Sequence, residues 1–339
     1  MSKRNTVTLR KIAEATGFSI NTVSRALKDM PDISAATRQA IQKKAHELGY
    51  ISNILASSMR SGLTHTIAVI LSDIANPHFA IIVKDIVEYL RDYDYTAFVI
   101  TTNEDENLEG LAIKAALSRK VDGIIICPTQ QSTENIEFLT RSGIPFVLIG
   151  RYFKELETHY VICNDKLGGY QATKHLISLG HKNIMLLNAE PHISSSQDRQ
   201  EGYTQALFEA GLPANDKLIH NIPVLGKYES YLDAIFDPPV YFTAIIVFSD
   251  MLAWELLDYL AAIGYRIPED MSIIAFDDLH SQYALPFRLA SITSQKEKMS
   301  HLSAKIIINQ IANPDASQKE KIVLNTRIMR RNSCVGPAL

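Results

Sequence analysis

The sequence predicts an α/β protein in which a small three-helix module precedes two doubly wound lobes. Three observations lead there: a basic, helix-patterned segment ends near residue 50, apolar strands alternate with amphipathic helices beyond Gly62, and that alternation runs through its cycle twice. A chain of 339 residues suits two or three compact units. Its 46% hydrophobic and 21% charged residues are typical of globular protein, and no apolar run nears the roughly 18 residues of a membrane helix. The opening MSKRNTVTLR has neither the apolar core nor the cleavage site of a secretory signal, so a cytoplasmic protein is expected. Cys127, Cys163 and Cys334 lie far apart, fit no metal-ligand spacing and read as reduced packing residues. No metal and no cofactor is expected.

Charge divides the chain. Up to Gly62 there are ten basic and four acidic residues, net +6, which leaves 24 basic and 33 acidic residues, net -9, for the remainder. A basic module joined to an acidic body is the pattern of a polyanion-binding element attached to a separate sensing domain.

The first helix is expected from Leu9, Ile12, Ala13 and Thr16 at helical spacing, with Thr8 as N-cap and Gly17 as a left-handed stop. Ser19 caps a second helix from Ile20 to Lys28, which turns Val23, Ala26 and Leu27 inward and keeps Asn21 and Arg25, four apart, on the outer face. A third follows Asp32 and Ser34, buries Ala40 or Ile41 with Ala45 and Leu48, and stops at Gly49. Three short helices with a Gly-containing turn between the first two form a helix-turn-helix, whose second helix can enter a major groove. There Asn21 can bridge adenine N6 and N7, Arg25 can fork onto guanine O6 and N7, and Ile20 can touch a thymine methyl. Thr22, Ser24, Ser19 and the start of the first helix at Thr8 and Leu9 suit phosphates, which fix register without reading sequence.

These residues, TLRKIAEATGFSINTVSRALKD followed by ISAATRQAIQKKAHELGY, resemble the headpiece of the LacI/GalR family of bacterial repressors. The resemblance implies base contacts for Ile20, Asn21 and Arg25. It also implies a hinge helix over Ser52 to Arg60, folding when two subunits meet on DNA, with Asn53 and Ala56 at the duplex and Met59 as the minor-groove wedge. Ser52 and Met59 stand where the family commonly has Pro and Leu.

Beyond the hinge, TIAVILSD (66–73), TAFVIT (96–101), DGIIICP (122–128) and PFVLIG (145–150) are near-continuous Val/Ile runs separated by helix-length segments such as Phe79 to Arg91. Such runs are expected of parallel strands buried on both faces. The rhythm repeats in HYVIC, NIMLLNA, KLIHNIPV, AIIVFSD and MSIIAFDD, which gives the second lobe. The two halves together resemble the periplasmic-binding-protein-like core of the same family, which implies three crossings between lobes, near Ile162, Ala290 to Thr293 and Val323. The expected organisation is a headpiece at 1–50, hinge and linker at 51–62, a first lobe at 63–161 and 293–322, and a second at 162–292 and 323–339.

A small ligand is then expected between the lobes at the carboxyl ends of the strands. Ser72, Asp73, Asn76 and Phe79 stand at the first such end, Phe79 suited to stacking on a sugar ring. The resemblance assigns Arg199, in SQDRQEGY, as the ligand-clamping arginine, with Ser249, Asp250 and Asp277 at other ligand-facing strand ends; Arg151 is a further candidate. Carboxylates and guanidiniums meet vicinal hydroxyl pairs with two hydrogen bonds, which favours a pyranose. Asp73 and Asp277 could instead merely cap the next helix, and Arg199 could join the lobes in an ion pair. VLIGR, CND and SQDRQEGY look most like regulators of maltose and related glucosides. His175 and His181 have no third ligand beside them and read as turn chemistry.

The expected function is a homodimeric transcriptional repressor that binds a near-palindromic double-stranded DNA operator under the control of a sugar effector. An enzyme on the doubly wound fold is opposed by the lack of G-x-G-x-x-G, of a Walker A sequence and of a nucleophile elbow. A transport-type or other sugar-binding protein without DNA binding is opposed by the headpiece and by the lack of an export signal.

Overall fold

The computed structural model describes residues 7–50, 62–237, 240–283, 287–315 and 318–337. The chain forms two compact units, Met1–Thr64 and His65–Leu339.

In the first unit, α1 (Leu9–Thr16), α2 (Ile20–Ala26) and α3 (Ala35–Glu47) are each capped by a hydroxyl. Thr8 Oγ1 accepts from Lys11 N–H at 3.4 Å, Ser19 Oγ from Thr22 N–H at 3.0 Å and Ser34 Oγ from Thr37 N–H at 3.2 Å. Gly17, at φ 74°, ends α1 in the left-handed conformation that a Cβ would oppose. Ile12, Ala13, Val23, Ala26, Ile41 and Ala45 make the core, and full burial of each Ile or Val stabilises this small unit by about 1.5–3 kcal/mol. Ile41 rather than Ala40 faces inward, and Leu48, expected inside, is 36% exposed because it lies past the end of α3 as its C-cap. The hinge expected over Ser52 to Arg60, with Asn53, Ala56 and Met59, lies outside the described residues.

The second unit contains two six-stranded sheets. The first is built from β1 (Thr66–Leu71), β2 (Thr96–Thr101), β3 (Gly123–Ile126), β4 (Phe146–Ile149), β5 (Tyr160–Cys163) and β11 (Lys321–Leu324), in the order β11-β5-β4-β3-β1-β2, all parallel. The second comprises β6 (Ile184–Asn188), β7 (Ile219–Asn221), β8 (Ala244–Val247), β9 (Ser272–Asp277), β10 (Ala290–Thr293) and β12 (Ile328–Met329), in the order β12-β10-β9-β8-β6-β7, with only β12 antiparallel. Helices cover both faces, so successive strand residues are buried on opposite sides. Ile67, Val69 and Leu71 of β1 pack with α4 (Pro77–Arg91) and α11 (Lys296–Ala312). Ala68 and Ile70 pack against the other face, with α5 (Glu106–Ser118) and α6 (Glu134–Ser142). The same alternation in the second sheet sends Met185 and Leu187 to α9 (Glu229–Phe236) and α10 (Asp250–Ala262), and Ile184 and Leu186 to α7 (Asp165–Ser178) and α8 (Ser194–Glu209). Burial on both faces is why the strands read as unbroken apolar runs.

The chain crosses between sheets three times, after β5, after β10 and after β11. The boundaries expected at 161/162, 292/293 and 322/323 fall inside these strands and move to their ends, because pairing is continuous along each strand: Cys163 pairs with Leu324, and Thr293 with Asp277.

Helices α7 and α8 approach so closely that backbone meets backbone. A Cβ on Gly169 would lie 2.1 Å from the Arg199 carbonyl oxygen, and one on Gly202 2.0 Å from that of Lys166. Neither neighbour can move without shifting a helix. Gly202→Ala is therefore expected to destabilise the second unit by about 1–3 kcal/mol and to lower its melting temperature by several degrees; an unchanged calorimetric transition would show that the helices separate freely.

Candidate functional site

Two sites emerge, one in each unit. On the first, Ile20 is 49% exposed at the start of α2, Asn21 beside it is exposed, and Arg25 is half-exposed one turn on. A large apolar side chain turned to solvent at a helix start has no folding rationale, and it stands beside an amide and a guanidinium. Ser24 and Thr22 are half-buried, the Thr22 hydroxyl lying 2.8 Å from that of Ser19. Leu9 packs against the core, so what it can present to a phosphate is backbone. The Arg25 guanidinium is held by Asp32, Nε donating to Oδ2 at 2.8 Å and Nη2 to Oδ1 at 2.7 Å. This pair holds the Asp32 carboxyl below its ordinary range, and the sequence alone does not show it, because Asp32 reads there only as part of the lead-in to α3.

In the second unit a cavity of about 270 Å³ lies at the carboxyl ends of both sheets, near the lower end of small-molecule pockets. Asp73, Asn76, Phe79, Arg151, Arg199, Ser249 and Asp277 all line it. Arg199 is its most tightly built part. It projects from α8, donates from Nε to Asp165 Oδ1 at 2.8 Å and from Nη1 to the Phe248 carbonyl, and lies between the rings of Phe248 and Phe276, 4.5 and 3.9 Å from their centroids. Desolvated cation–π contacts of this kind contribute about 2 kcal/mol each. Among the described residues no protein acceptor takes the Nη2 protons, which are left for a ligand. Arg151 is fixed differently, forked onto Glu104 at 2.7 and 2.8 Å and onto the Pro128 carbonyl at 2.9 Å.

Three of the lining groups have a capping role as well. Asp73 Oδ1 accepts from Ala75 N–H at 2.8 Å, Asn76 Oδ1 from His78 N–H at 2.9 Å, and Ser249 Oγ from Leu252 N–H at 3.2 Å. Among the described residues the Asp277 side chain caps nothing: its backbone is left-handed at φ 99°, and its carboxylate lies 3.2 Å from His78 Nδ1 without hydrogen-bond geometry. Burial drives His78 down to about 4, so it is neutral at pH 7. Burial pushes Asp165 up to about 6 while Arg199 pulls the other way, which leaves it ionised at neutral pH.

Two expected residues do not reach the cavity. Ser72 is buried at the end of β1, where its carbonyl accepts the Asn103 N–H at 2.8 Å. Asp250, 2% exposed, points the other way from Ser249, accepting Leu279 N–H at 2.7 Å and the Ser291 hydroxyl at 2.7 Å; it braces the β9–β10 connection. Asp165, His78, Tyr228, Phe248 and Glu255 were not expected and line the cavity. Only Asp165 had a sequence signal, as an acidic first-turn residue after β5. Cys127 and Cys163 pack in the core of the first sheet and also border the cavity, and burial pushes both thiols up, Cys127 to about 12. His181 is more than a turn residue, lying 2.8 Å from the Thr243 hydroxyl and 2.8 Å from the Val335 carbonyl. Among the described residues no group of His, Cys, Asp or Glu could hold a metal ion, and no helix is long and apolar enough to cross a membrane.

Residues 64–332 match the family model described as periplasmic binding proteins and sugar binding domain of the LacI family, and residues 8–53 that of bacterial regulatory proteins, lacI family. The chain is 31% identical over 342 residues to the probable HTH-type transcriptional repressor ExuR of Bacillus subtilis (strain 168), covering 96% of this chain and 98% of the relative. It is 25% identical to the transcriptional regulator CelR in a complex with cellobiose, with a TM-score of 0.72 over 96% of this chain and 99% of that one. The lac repressor dimer bound to operator and the anti-inducer ONPF shares the fold, with a TM-score of 0.84 at 21% identity over 98% of this chain and 100% of the other.

Asp250 gives the fold a pH dependence of known sign. Burial first, and then the nearby Asp277 carboxylate, raise it from 3.8 to about 7. Its protonated form favours the folded state, so this stabilisation is complete below pH 3.8 and is lost as the pH rises through about 7. Asp250→Asn keeps an acceptor for Leu279 and removes the titration. In urea unfolding between pH 4 and 7.5 the wild type should lose stability relative to this variant, whereas parallel curves would mean that the two hydrogen bonds fully accommodate the anion.

Proposed function

Because the chain belongs to the LacI family of bacterial regulatory proteins, we propose that it is a cytoplasmic repressor that grips a near-palindromic operator as a homodimer and adjusts that grip when an uncharged sugar fills its cleft. It is a DNA-binding transcriptional regulator with an effector-binding core, not an enzyme. Ile20, Asn21 and Arg25 read bases, and the caps of α1 and α2 meet phosphates. A maltose-like or related glucoside is the favoured effector.

One observation carries the effector class. The cavity lining holds four carboxylates, on Asp73, Asp165, Glu255 and Asp277, against two guanidiniums, and each guanidinium already has a carboxylate of its own. An anionic sugar would meet a surplus of negative charge among the lining residues, with both lining guanidiniums already paired. A neutral pyranose instead offers hydroxyls to the carboxylates and to Arg199 Nη2, and its apolar face to Phe79, Phe248 and Tyr228. The complex of the relative CelR with cellobiose, a neutral glucose disaccharide, supports this reading. Residues of both sheets line the cleft, so a ligand that binds one lobe arrangement more tightly shifts the population towards it.

The coupling between sites should amount to roughly 5- to 150-fold in operator affinity. Thermal-shift screening of mono- and disaccharides, uronates and sugar phosphates should single out a neutral sugar, and fluorescence anisotropy with that sugar should then show the change in operator binding. Arg199→Ala should bind operator as the wild type does and lose the response. Stabilisation by anionic sugars alone would overturn the effector class, and a normal response in Arg199→Ala would overturn the placement of the cleft.

A further inference from the structure

Asp32 is an unexpected residue on a surface that has to meet a polyanion. An exposed ion pair contributes about 0–1 kcal/mol to stability, and a carboxylate beside the reading helix repels phosphates. Stability alone does not account for its position.

The geometry does. Asp32 engages the side edge of the Arg25 guanidinium, taking the Nε proton and one Nη2 proton. A guanidinium carries five N–H groups in a planar fork. The side-on contact therefore leaves the end edge, Nη1 with the second Nη2 proton, as an intact pair of parallel donors, the pattern that matches guanine O6 and N7. Asp32 is itself fixed. Its loop is anchored on one side by Met30 N–H donating to the Arg25 carbonyl at 3.1 Å, and closed by Ile33 N–H donating to Met30 at 3.2 Å. Arg38 Nη2 reaches back from α3 to the carbonyls of Met30 and Ile33 at 3.1 and 3.2 Å, and Ile33 packs against the headpiece core. Asp29, the other acidic residue of the loop, faces Arg38 and Gln42 instead.

The geometry points to Asp32 as a positioning residue for base reading: a rigid acceptor that holds Arg25 by its side edge before DNA arrives and aims its end edge at a guanine. This rests on the reading that Arg25 contacts a base. Without the brace, Arg25 must give up its rotamer freedom on binding, which weakens the specific contact by roughly two- to tenfold. Phosphate contacts elsewhere are untouched, and non-specific binding gains from the loss of a negative charge.

The test uses the full-length dimer and a duplex selected by the wild type from a randomised library. Anisotropy at one fixed salt concentration would give affinities for this duplex, for each single base-pair change in a half-site, and for an unrelated duplex. Arg25→Ala should lose discrimination at one base pair by roughly 5- to 150-fold. If it keeps discrimination everywhere, the base-reading role of Arg25 fails and the proposal falls with it. Given that loss, Asp32→Ala should reduce discrimination at the same pair roughly two- to tenfold, bind unrelated DNA at least as well as wild type, and add nothing further in the double variant. Asp32→Asn, which keeps one acceptor, should be intermediate. Undiminished discrimination in Asp32→Ala, with tighter binding to every duplex, would make the pair a competitor of DNA and overturn the proposal, as would an equal loss across all duplexes accompanied by a lower melting temperature.

Discussion

The contact between Arg199 and Asp165 depends on two helices lying closer than side chains normally allow, and the cleft is organised around it. Burying a guanidinium and a carboxylate costs several kcal/mol per ion before any attraction is counted, and only good geometry with further hydrogen bonds offsets that cost. Here the geometry comes from Gly169 and Gly202, which bring α7 and α8 to backbone contact, and the further partners are the Phe248 carbonyl and two aromatic faces. The result is a cation that cannot collapse onto the ligand or swing into solvent. That leaves its Nη2 group as a fixed donor at the cavity wall.

Around that pair the two lobes are joined by contacts that a change of lobe angle must disturb. Lys296, at the start of α11 on the first sheet, donates its ammonium to the carbonyl of Asp277 and, at 3.4 Å, to that of Asp278, both at the end of β9 in the second. Asp277, Asp278 and Gln295 all have positive φ, at 99°, 50° and 44°, conformations that cost non-glycine residues of order 1–3 kcal/mol each and persist only where the surroundings over-determine them. Gln130 of the first lobe accepts both the backbone N–H and the hydroxyl of Ser194 in the second, at 2.9 and 3.1 Å. A ligand that favours one lobe angle therefore acts on backbone already held in sparsely populated conformations, beside the crossing that follows β10.

The strands were legible because burial on two faces leaves a one-dimensional mark, an unbroken apolar run that needs no partner to be read. The headpiece was legible for a related reason: hydroxyl caps, a left-handed glycine and helical spacing are local. What the sequence could not resolve was direction at strand ends. Ser249 and Asp250 are neighbours in one helix first turn, yet Ser249 faces the cavity and Asp250 the β9–β10 connection, a difference set by where Leu279 and Ser291 arrive from elsewhere in the chain. Asp165 and Asp250 look alike as acidic residues opening helices after a strand, and only the close approach of α8 puts Arg199 beside the first. Phe248, just past β8, and Tyr228, just before α9, both read as core aromatics until the opposing lobe is in place.

The same device recurs in both units, and its surroundings decide what it does. Arg25 with Asp32, Arg151 with Glu104, Arg199 with Asp165 and Arg331 with Asp278 are all guanidiniums held by a carboxylate of the same unit. Arg331 and Arg151 also donate to a backbone carbonyl, of Leu289 and Pro128, and Arg331 lies outside the cavity lining. Arg199 is enclosed on two faces and keeps one terminal nitrogen for the cavity. Arg25 is open on its end edge and keeps a full pair of donors. In each case the carboxylate removes conformational freedom and leaves only part of the guanidinium unspent, so where the unspent edge faces, more than the presence of charge, separates a structural arginine from one that can recognise something.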